Sequence, residues 1–194
     1  MLSTLKQIAQ ITGWVMKGMP IPPVPAVKRR LLLALLEKHH LGTFVETGTF
    51  KGDTLAFMAD HVEKAISIEL SPEYFARAKA RFAARGTIEL YQGDSGEVLP
   101  KIVETLTKPA LFWLDGHYSA GQTAQGVLDS PISAELQCVM DSPVKGHVIA
   151  IDDAHEFTEQ GGYPELGRFL TGIAQDGRYT AYVHANVIVL EPKA

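Results

Sequence analysis

Short apolar runs rich in β-branched residues alternate along most of the chain with longer segments whose apolar residues recur at helical spacing. The apolar runs have the length of strands and cover residues 43–47, 65–70, 87–91, 110–115, 147–152, 179–183 and 186–190. Helices are predicted over residues 52–61, 72–84, 131–140 and 164–173, and after Gly96. This alternation indicates an α/β fold, a three-layer sandwich in which helices cover both faces of a parallel sheet.

The last two predicted strands differ from the others because no helix separates them. Only His184 and Ala185 lie between residues 179–183 and residues 186–190. A connection this short joins antiparallel neighbours. The pattern therefore predicts a seven-stranded, mostly parallel sheet that ends in an antiparallel hairpin, with right-handed crossovers between the parallel strands.

Residues 1–42 precede the first predicted strand and form two helical stretches around a connector. The first stretch has apolar residues at helical spacing, namely Leu2, Leu5, Ile8, Ile11 and Val15. Residues 20–25 are rich in proline and form a stiff link, and residues 27–40 are rich in leucine. We expect residues 1–42 to pack on or cap the core formed by residues 43–194. Docking on a partner subunit, and hence a homodimer, is an open alternative.

Composition and charge exclude several classes of function. The chain of 194 residues fits one domain, and its 46% hydrophobic and 21% charged residues are ordinary for a globular protein. The net charge of −4 creates no basic field for nucleic acid. No run approaches the roughly 20 apolar residues of a membrane span. The lone Cys138 cannot form an internal disulfide, which favours a cytoplasmic location.

Polar or acidic residues follow each of the five predicted parallel strands. In an open parallel sheet, ligands bind beyond the carboxyl ends of the strands, near the point where the strand order reverses. The candidate positions are residues 46–48, 69, 93–94, 115–117 and 152–153. The sequence thus predicts a ligand site at this edge of the sheet.

The stretch FVETGTFKGDT contains a glycine turn after the first strand. Gly48 allows a sharp turn close to a ligand, and Gly52 allows close packing of the next helix, as glycines do in dinucleotide-binding turns. The spacing is G-x-x-x-G rather than G-x-G-x-x-G. We also expect Glu46 to place a negative charge that repels pyrophosphate, so the turn favours a cationic or neutral ligand.

Two further strand ends favour a nucleoside as this ligand. Glu69 ends the second strand, where an acid can accept hydrogen bonds from both ribose hydroxyls. Asp94 and Ser95 end the third strand, where they can accept a hydrogen bond from the adenine amine. Together with the glycine turn, these residues predict a ligand with a ribose, a base and a positively charged tail.

Residues 43–190 resemble the class I, Rossmann-like S-adenosylmethionine-dependent methyltransferases. VETGTFKG is similar to the acidic glycine motif of the family, ISIEL to its ribose-binding motif and YQGDS to its adenine-side motif. The string FWLDGHYSAGQTAQGVLDSPI with IDDAHEF resembles a subgroup of small bacterial methyltransferase-like proteins. The resemblance implies S-adenosylmethionine as the cofactor. The cofactor-binding residues that it implies are Glu46, Gly48, Thr49, Gly52, Glu69, Leu70, Asp94, Ser95 and Asp115.

Asp115, Asp152 and Asp153 are candidate metal ligands. Asp115 and Asp152 end the fourth and fifth strands, which are neighbours in the family order, and Asp153 follows directly. Carboxylates in this arrangement could hold Mg²⁺, which would lower the pKa of an acceptor hydroxyl. Metal-dependent catechol-type O-methyltransferases resemble this pattern. The alternatives are that Asp153 caps a turn and that Asp115 contacts the cofactor.

Histidines are the candidate bases if no metal takes part. His117 and His155 follow the fourth and fifth strands, and an unperturbed imidazole has a pKa suited to proton removal; Asp115 is the third catalytic candidate. Residues 116–129 form a long polar stretch that we interpret as an acceptor-binding loop. Tyr118 and Tyr163 are candidates for stacking on the acceptor.

These observations predict an S-adenosylmethionine-dependent methyltransferase that acts on a hydroxyl group of a small-molecule or sugar-like acceptor. One alternative is an NAD(P)-dependent oxidoreductase, which the missing G-x-G-x-x-G motif disfavours. A second alternative is a non-catalytic nucleoside-binding or assembly protein. The sequence does not identify the acceptor, because acceptor pockets are built from loops.

Overall fold

The strands form one seven-stranded sheet in a computed structural model that describes residues 2–115, 131–159 and 163–193. The strand order is β3-β2-β1-β4-β5-β7-β6. The strands are β1 Thr43–Thr47, β2 Lys64–Glu69, β3 Ile88–Gln92, β4 Leu111–Leu114, β5 Val148–Ile151, β6 Tyr179–His184 and β7 Val187–Pro192. The first five strands run parallel, and β7 pairs antiparallel with both β5 and β6. The predicted sheet with its terminal antiparallel hairpin is confirmed.

Helices connect the parallel strands and cover both faces of the sheet. They are α1 Leu2–Met16, α2 Pro25–Lys38, α3 Asp53–Met58, α4 Pro72–Arg81, α5 Ser95–Thr105, α6 Pro131–Met140 and α7 Leu166–Asp176. A 3₁₀ helix spans Ala154–Glu156. Helix α4 begins at a proline after Ser71, whose hydroxyl accepts from the Tyr74 N–H, and Asp94 caps α5 in the same way through the Gly96 N–H.

The sheet is buried on both faces because neighbouring residues of each strand point to opposite sides. One face packs against α5, α6 and α7 through a cluster that includes Val45, Phe112 and Ile149. The other face packs against α2 and α3 through a cluster that includes Phe44 and Trp113, and α4 packs beside α3 through Ala78 and Phe82. These helices and the sheet form the three layers that the sequence predicts.

Helix α2 belongs to the same core as the strands. Leu32, Leu35 and Leu36 are buried together with Trp113 and Val148 of the sheet. One hydrophobic cluster therefore contains residues from both sides of the boundary predicted at residue 42. The division into residues 1–42 and 43–194 stays a prediction. Among the described residues, every helix is too short or too polar to span a bilayer.

Candidate cofactor site

The strand order reverses between β1 and β4, which places the turn after β1 at the switch point of the sheet. Gly48 has φ +86, in the left-handed region, and its N–H donates to the Ile68 carbonyl oxygen at 2.9 Å. A Cβ added at Gly48 would lie 3.2 Å from the carbonyl oxygen of Asp115. The backbone after β1 therefore passes close to the backbone after β4, and Gly48 is required for both its conformation and this approach.

Gly52 lies at the start of α3 and is restricted in the same two ways. Its φ is +71, and an added Cβ would lie 2.7 Å from the ring of Phe82, which is 5% exposed. The absence of a side chain at Gly52 thus lets the start of α3 lie close to Phe82 at the end of α4. The contribution of Gly52 is to the shape of the turn.

We expect Gly52→Ala to lower the free energy of unfolding by about 1–3 kcal/mol, because the alanine would be strained at positive φ and would displace a buried ring. Urea denaturation followed by circular dichroism measures this change. Gly86→Ala is the matched control, since nothing lies within 4 Å of the added Cβ there. Equal stability of the Gly52→Ala and Gly86→Ala proteins would contradict this explanation.

Glu69 connects the end of β2 to the glycine turn. Its Oε2 accepts from the Phe50 N–H at 2.7 Å, and its Oε1 accepts from the Ser71 N–H at 2.8 Å. Glu69 as a whole is 7% exposed. Each carboxylate oxygen has two lone pairs, so both can still accept a ribose hydroxyl. The next residue, Leu70, is 44% exposed and can offer an apolar contact to a base.

Glu46 is fully buried beneath the turn rather than exposed at its surface. Its Oε1 accepts from the Ser67 hydroxyl at 2.7 Å, and that hydroxyl lies 2.5 Å from the Thr49 hydroxyl. Burial raises the pKa of Glu46 to about 8; the Ser67 hydrogen bond opposes this, and the charges of Asp115 and Glu69 add to it. Burial thus favours the protonated form of Glu46 at neutral pH, whereas the sequence predicts a negative charge there. A ligand ammonium placed against Glu46 would favour ionisation.

Both threonines of the turn have hydrogen-bond partners inside the protein. The Thr49 hydroxyl is buried against Ser67. The Thr47 hydroxyl donates to Oε2 of Glu135 at 3.3 Å and accepts from the Asp115 N–H at the same distance. These side chains therefore fix the turn and the start of the loop after β4.

Glu135 of α6 belongs to the site although the sequence analysis did not select it. It accepts from the Thr47 hydroxyl and from Ser95, and it is 2% exposed. Burial raises its pKa to about 7, with the two hydroxyls opposing this and Asp94 and Asp115 adding to it. The available signal was an acid inside the apolar run ISAELQCVM, one residue before the buried Leu136.

Asp94 and Ser95 lie at the start of α5, as predicted for the adenine side. Asp94 is exposed and accepts from the Gly96 N–H at 2.8 Å, so it caps this helix. Ser95 is part-buried and donates to Glu135. The structure thus gives each residue a local role that does not prevent a contact with a base.

Asp115 and Asp152 follow paired strands, because Leu114 is the register partner of Ile151. The Asp152 N–H donates to the Leu114 carbonyl oxygen at 3.0 Å, which brings the two strand ends together. Asp153 follows at φ 50 and accepts from the Asn186 amide at 3.0 Å. The three predicted metal ligands therefore lie at or next to the ends of two paired strands.

Lys28 of α2 occupies the space between two of these carboxylates. Its Nζ lies 2.5 Å from Oδ1 of Asp152 and 2.8 Å from Oδ1 of Asp153. Burial lowers the pKa of Lys28, but the two carboxylates outweigh burial and the pKa is raised, so this ammonium stays charged. Burial raises the pKa of Asp152, and the Lys28 charge opposes this. In the described part of the chain, no group of three or more His, Cys, Asp or Glu side chains could hold a metal ion.

A cavity of about 700 Å³ lies between the N-terminal helices and the glycine turn. Its lining includes Glu46, Gly48, Lys28, Asp115, Asp152 and Asp153. The residues predicted around the methionine moiety and those predicted around the acceptor therefore face one common space.

The two candidate histidines differ in what the structure shows. His155 lies in the 3₁₀ helix, where its N–H donates to Oδ1 of Asn186 at 3.0 Å and its Nδ1 lies 2.9 Å from Nδ2 of the same residue. Asn186 was not selected from the sequence.

Tyr163, a candidate for stacking on the acceptor, packs against the buried Phe157, with 5.0 Å between the two ring centroids. His117, Tyr118 and the predicted acceptor loop over residues 116–129 lie outside the described residues.

Several solved structures have the same fold at low sequence identity. The O-methyltransferase TomG from Streptomyces achromogenes, which is involved in tomaymycin synthesis and was crystallised with S-adenosylmethionine, is 17% identical, with a TM-score of 0.66 over 96% of this chain and 89% of that one. An O-methyltransferase from Bacillus cereus with S-adenosylhomocysteine is 17% identical, with a TM-score of 0.67 over 98% and 91%. The methyltransferase PaMTH1 from Podospora anserina, also with S-adenosylhomocysteine, is 13% identical, with a TM-score of 0.65 over 97% and 88%.

Sequence comparison adds no closer relationship. No protein-family model matches the chain, and no curated protein matches it significantly. The similarity to solved structures spans nearly the whole chain. The chain thus has the class I, Rossmann-like fold of the S-adenosylmethionine-dependent O-methyltransferases.

Proposed function

We propose that the protein is an S-adenosylmethionine-dependent methyltransferase that acts on a hydroxyl group of a small-molecule or sugar-like acceptor. One observation carries this proposal: the glycine turn at the switch point is held by Glu69, and its Gly48 lines one cavity with Glu46 and Asp115. This arrangement supports the proposal because Glu69 would accept ribose hydroxyls on one side of the turn, and the cavity on the other side would accept the ammonium of the methionine moiety. O-methyltransferases with S-adenosylmethionine or its product bound share the fold.

The roles of the cofactor residues follow from their positions. Glu69 would accept the ribose hydroxyls, and Leu70, Asp94 and Ser95 would contact the base. Glu46 and Asp115 would face the ammonium of the methionine moiety, with Gly48 and the Thr49 backbone forming the surface on which it lies. Gly52 would contribute only through the packing of α3.

The reaction would be an in-line displacement at the sulfonium methyl group. The acceptor oxygen forms a bond to the methyl carbon while the carbon–sulfur bond breaks, and S-adenosylhomocysteine leaves with the bonding electron pair. The acceptor proton passes to a base, for which Asp115, His117 and His155 remain the predicted candidates. The protein contributes alignment of the two reactants and removal of this proton.

Binding of S-adenosylhomocysteine tests the cofactor half of the proposal. Isothermal titration calorimetry should show one saturable site with a dissociation constant below about 100 μM, equivalent to roughly −5.5 kcal/mol. NADH is the matched control ligand. Its fluorescence should not change when the protein is added. Absence of heat at millimolar S-adenosylhomocysteine would refute the proposal, and NADH binding would instead support the oxidoreductase alternative.

Turnover separates an enzyme from a non-catalytic nucleoside-binding protein. Formation of S-adenosylhomocysteine can be measured across a panel of phenols, catechols and sugars. Cofactor binding without turnover of any acceptor would support the non-catalytic alternative.

The cytoplasmic location and the homodimer stay predictions. Cell fractionation tests the location, and light scattering tests the oligomeric state.

A further inference from the structure

Lys28 lies where the sequence predicts a divalent metal ion. Its ammonium contacts Oδ1 of both Asp152 and Asp153. The Lys28, Asp152 and Asp153 side chains are 13%, 11% and 15% exposed. Because water reaches them poorly, the attraction between these charges is weakly screened.

The packing of α2 determines the position of this ammonium. Lys28 and Leu32 are four residues apart and therefore share one face of the helix. Leu32 is fully buried in the cluster that contains Trp113 and Val148. That face of α2 is thus pressed against the sheet, and Lys28 extends from it to the carboxyl end of β5.

A divalent ion placed between Oδ1 of Asp152 and Oδ1 of Asp153 would compete with the Lys28 ammonium for these oxygens. Mg²⁺ requires oxygen ligands at about 2.0–2.1 Å in octahedral geometry. An ion that bridged Asp152 and Asp153 through their Oδ1 atoms would meet Lys28 Nζ, which contacts these atoms at 2.5 and 2.8 Å. The predicted metal ligands therefore do not fit a divalent ion while Lys28 holds this position.

We propose that Lys28 is the resident cation of the acceptor side, in the place of a divalent metal, and that it binds the hydroxyl oxygen of the acceptor. This inference rests on the proposed methyltransferase function. An ammonium has three N–H donors, and Asp152 and Asp153 are the two partners that Lys28 has among the described residues. Lys28 lines the same cavity as Glu46 and Gly48, so its third donor is available to a ligand there. There it can orient an acceptor oxygen towards the methyl group through a charge-assisted hydrogen bond.

Competition between the ammonium and a metal ion tests this proposal without any knowledge of the acceptor. Mn²⁺ binding is measured by electron paramagnetic resonance for the wild type, Lys28→Ala and Lys28→Arg. We expect the wild type and Lys28→Arg to bind Mn²⁺ no more tightly than about 1 mM. Lys28→Ala should lower the dissociation constant at least about tenfold, because it removes the ammonium that contacts both carboxylates.

Two further variants show whether the gained metal lies between these carboxylates. Asp152→Asn in the Lys28→Ala background should abolish the gain. Lys38→Ala is the matched control, because Lys38 also lies on α2 and pairs with a carboxylate, Glu191, away from the cavity. It should bind Mn²⁺ as the wild type does.

Tight stoichiometric binding of Mn²⁺ by the wild type would overturn the proposal, as would equal affinity of the wild type and Lys28→Ala. If Lys28→Ala does not fold, the wild-type and Lys28→Arg titrations still decide the question. S-adenosylhomocysteine binding is measured separately in each variant, so its failure in the wild type identifies an error in the proposed function rather than in the role of Lys28. Turnover of any identified acceptor should survive a metal chelator, and its loss would also overturn the proposal.

Discussion

Replacing Glu69 with alanine is expected to weaken S-adenosylhomocysteine binding by about 100-fold, or roughly 2.7 kcal/mol. The substitution removes the proposed acceptor of the ribose hydroxyls. It also removes the partners of the Phe50 and Ser71 N–H groups, so the turn that we propose contacts the cofactor loses one of its attachments to β2. Calorimetry measures the affinity, and thermal melting measures the accompanying loss of stability.

Glu73→Ala is the matched control for this experiment. Glu73 lies four residues later, and its side chain is 69% exposed on α4. It should leave the cofactor affinity within about twofold of the wild type, as expected for a surface substitution. Unchanged affinity in a folded Glu69→Ala protein would contradict the proposal that Glu69 binds the ribose.

Glu46→Gln is expected to make the protein more stable than the wild type at pH 8, on the order of 3 kcal/mol. The folded state holds the Glu46 proton up to about pH 8, whereas the unfolded chain loses it near its ordinary value of 4.5. Unfolding therefore releases a proton between these values, and the contribution of Glu46 to the free energy of unfolding falls as the pH rises through this interval. Glutamine is neutral in both states and avoids this loss.

Urea denaturation at pH 5, 6, 7 and 8 provides the measurement. The two proteins should differ little at pH 5 and diverge steadily towards pH 8. Glu97→Gln serves as the matched control, because Glu97 is exposed in the first turn of α5 and should show the wild-type profile. Parallel curves for the wild type and Glu46→Gln would show that Glu46 ionises normally.

The strands and their order along the chain were predictable because each has a strong local pattern. A buried strand such as β4 has four consecutive apolar residues, all of them buried. Helix ends were less predictable, since they depend on single capping contacts. Helix α7 begins at Leu166 rather than at the predicted Pro164, because the Glu165 carboxylate accepts from the Gly167 and Arg168 N–H groups.

The candidate site was predictable where topology alone brings residues together. The carboxyl ends of parallel strands lie at one edge of the sheet. The strand pattern therefore predicts that this edge contains Gly48, Glu69 and Asp152. Lys28 and Glu135 reach the site from α2 and α6, whose placement on the sheet depends on packing between distant segments. Asn186 arrives from the turn between β6 and β7, which is equally remote in sequence.

The charge state of Glu46 could not be predicted for a related reason. An acid before a glycine turn is expected to be ionised when it is solvated. Its ionisation here depends on burial by the turn and on the nearby charges of Asp115 and Glu69. These are properties of the folded molecule, and no local pattern reports them.

The position of β7 inside the sheet has a consequence for synthesis on the ribosome. Residues 187–192 emerge after every other strand, yet β7 lies between β5 and β6 and pairs with both. The five parallel strands of a nascent chain can pair early, but β6 has no neighbouring strand until β7 emerges. The turn that carries Asn186 to Asp153 and His155 forms in the same step. The contacts of Asn186 with Asp153 and His155, the residues that follow β5, can therefore form only once translation has passed residue 192.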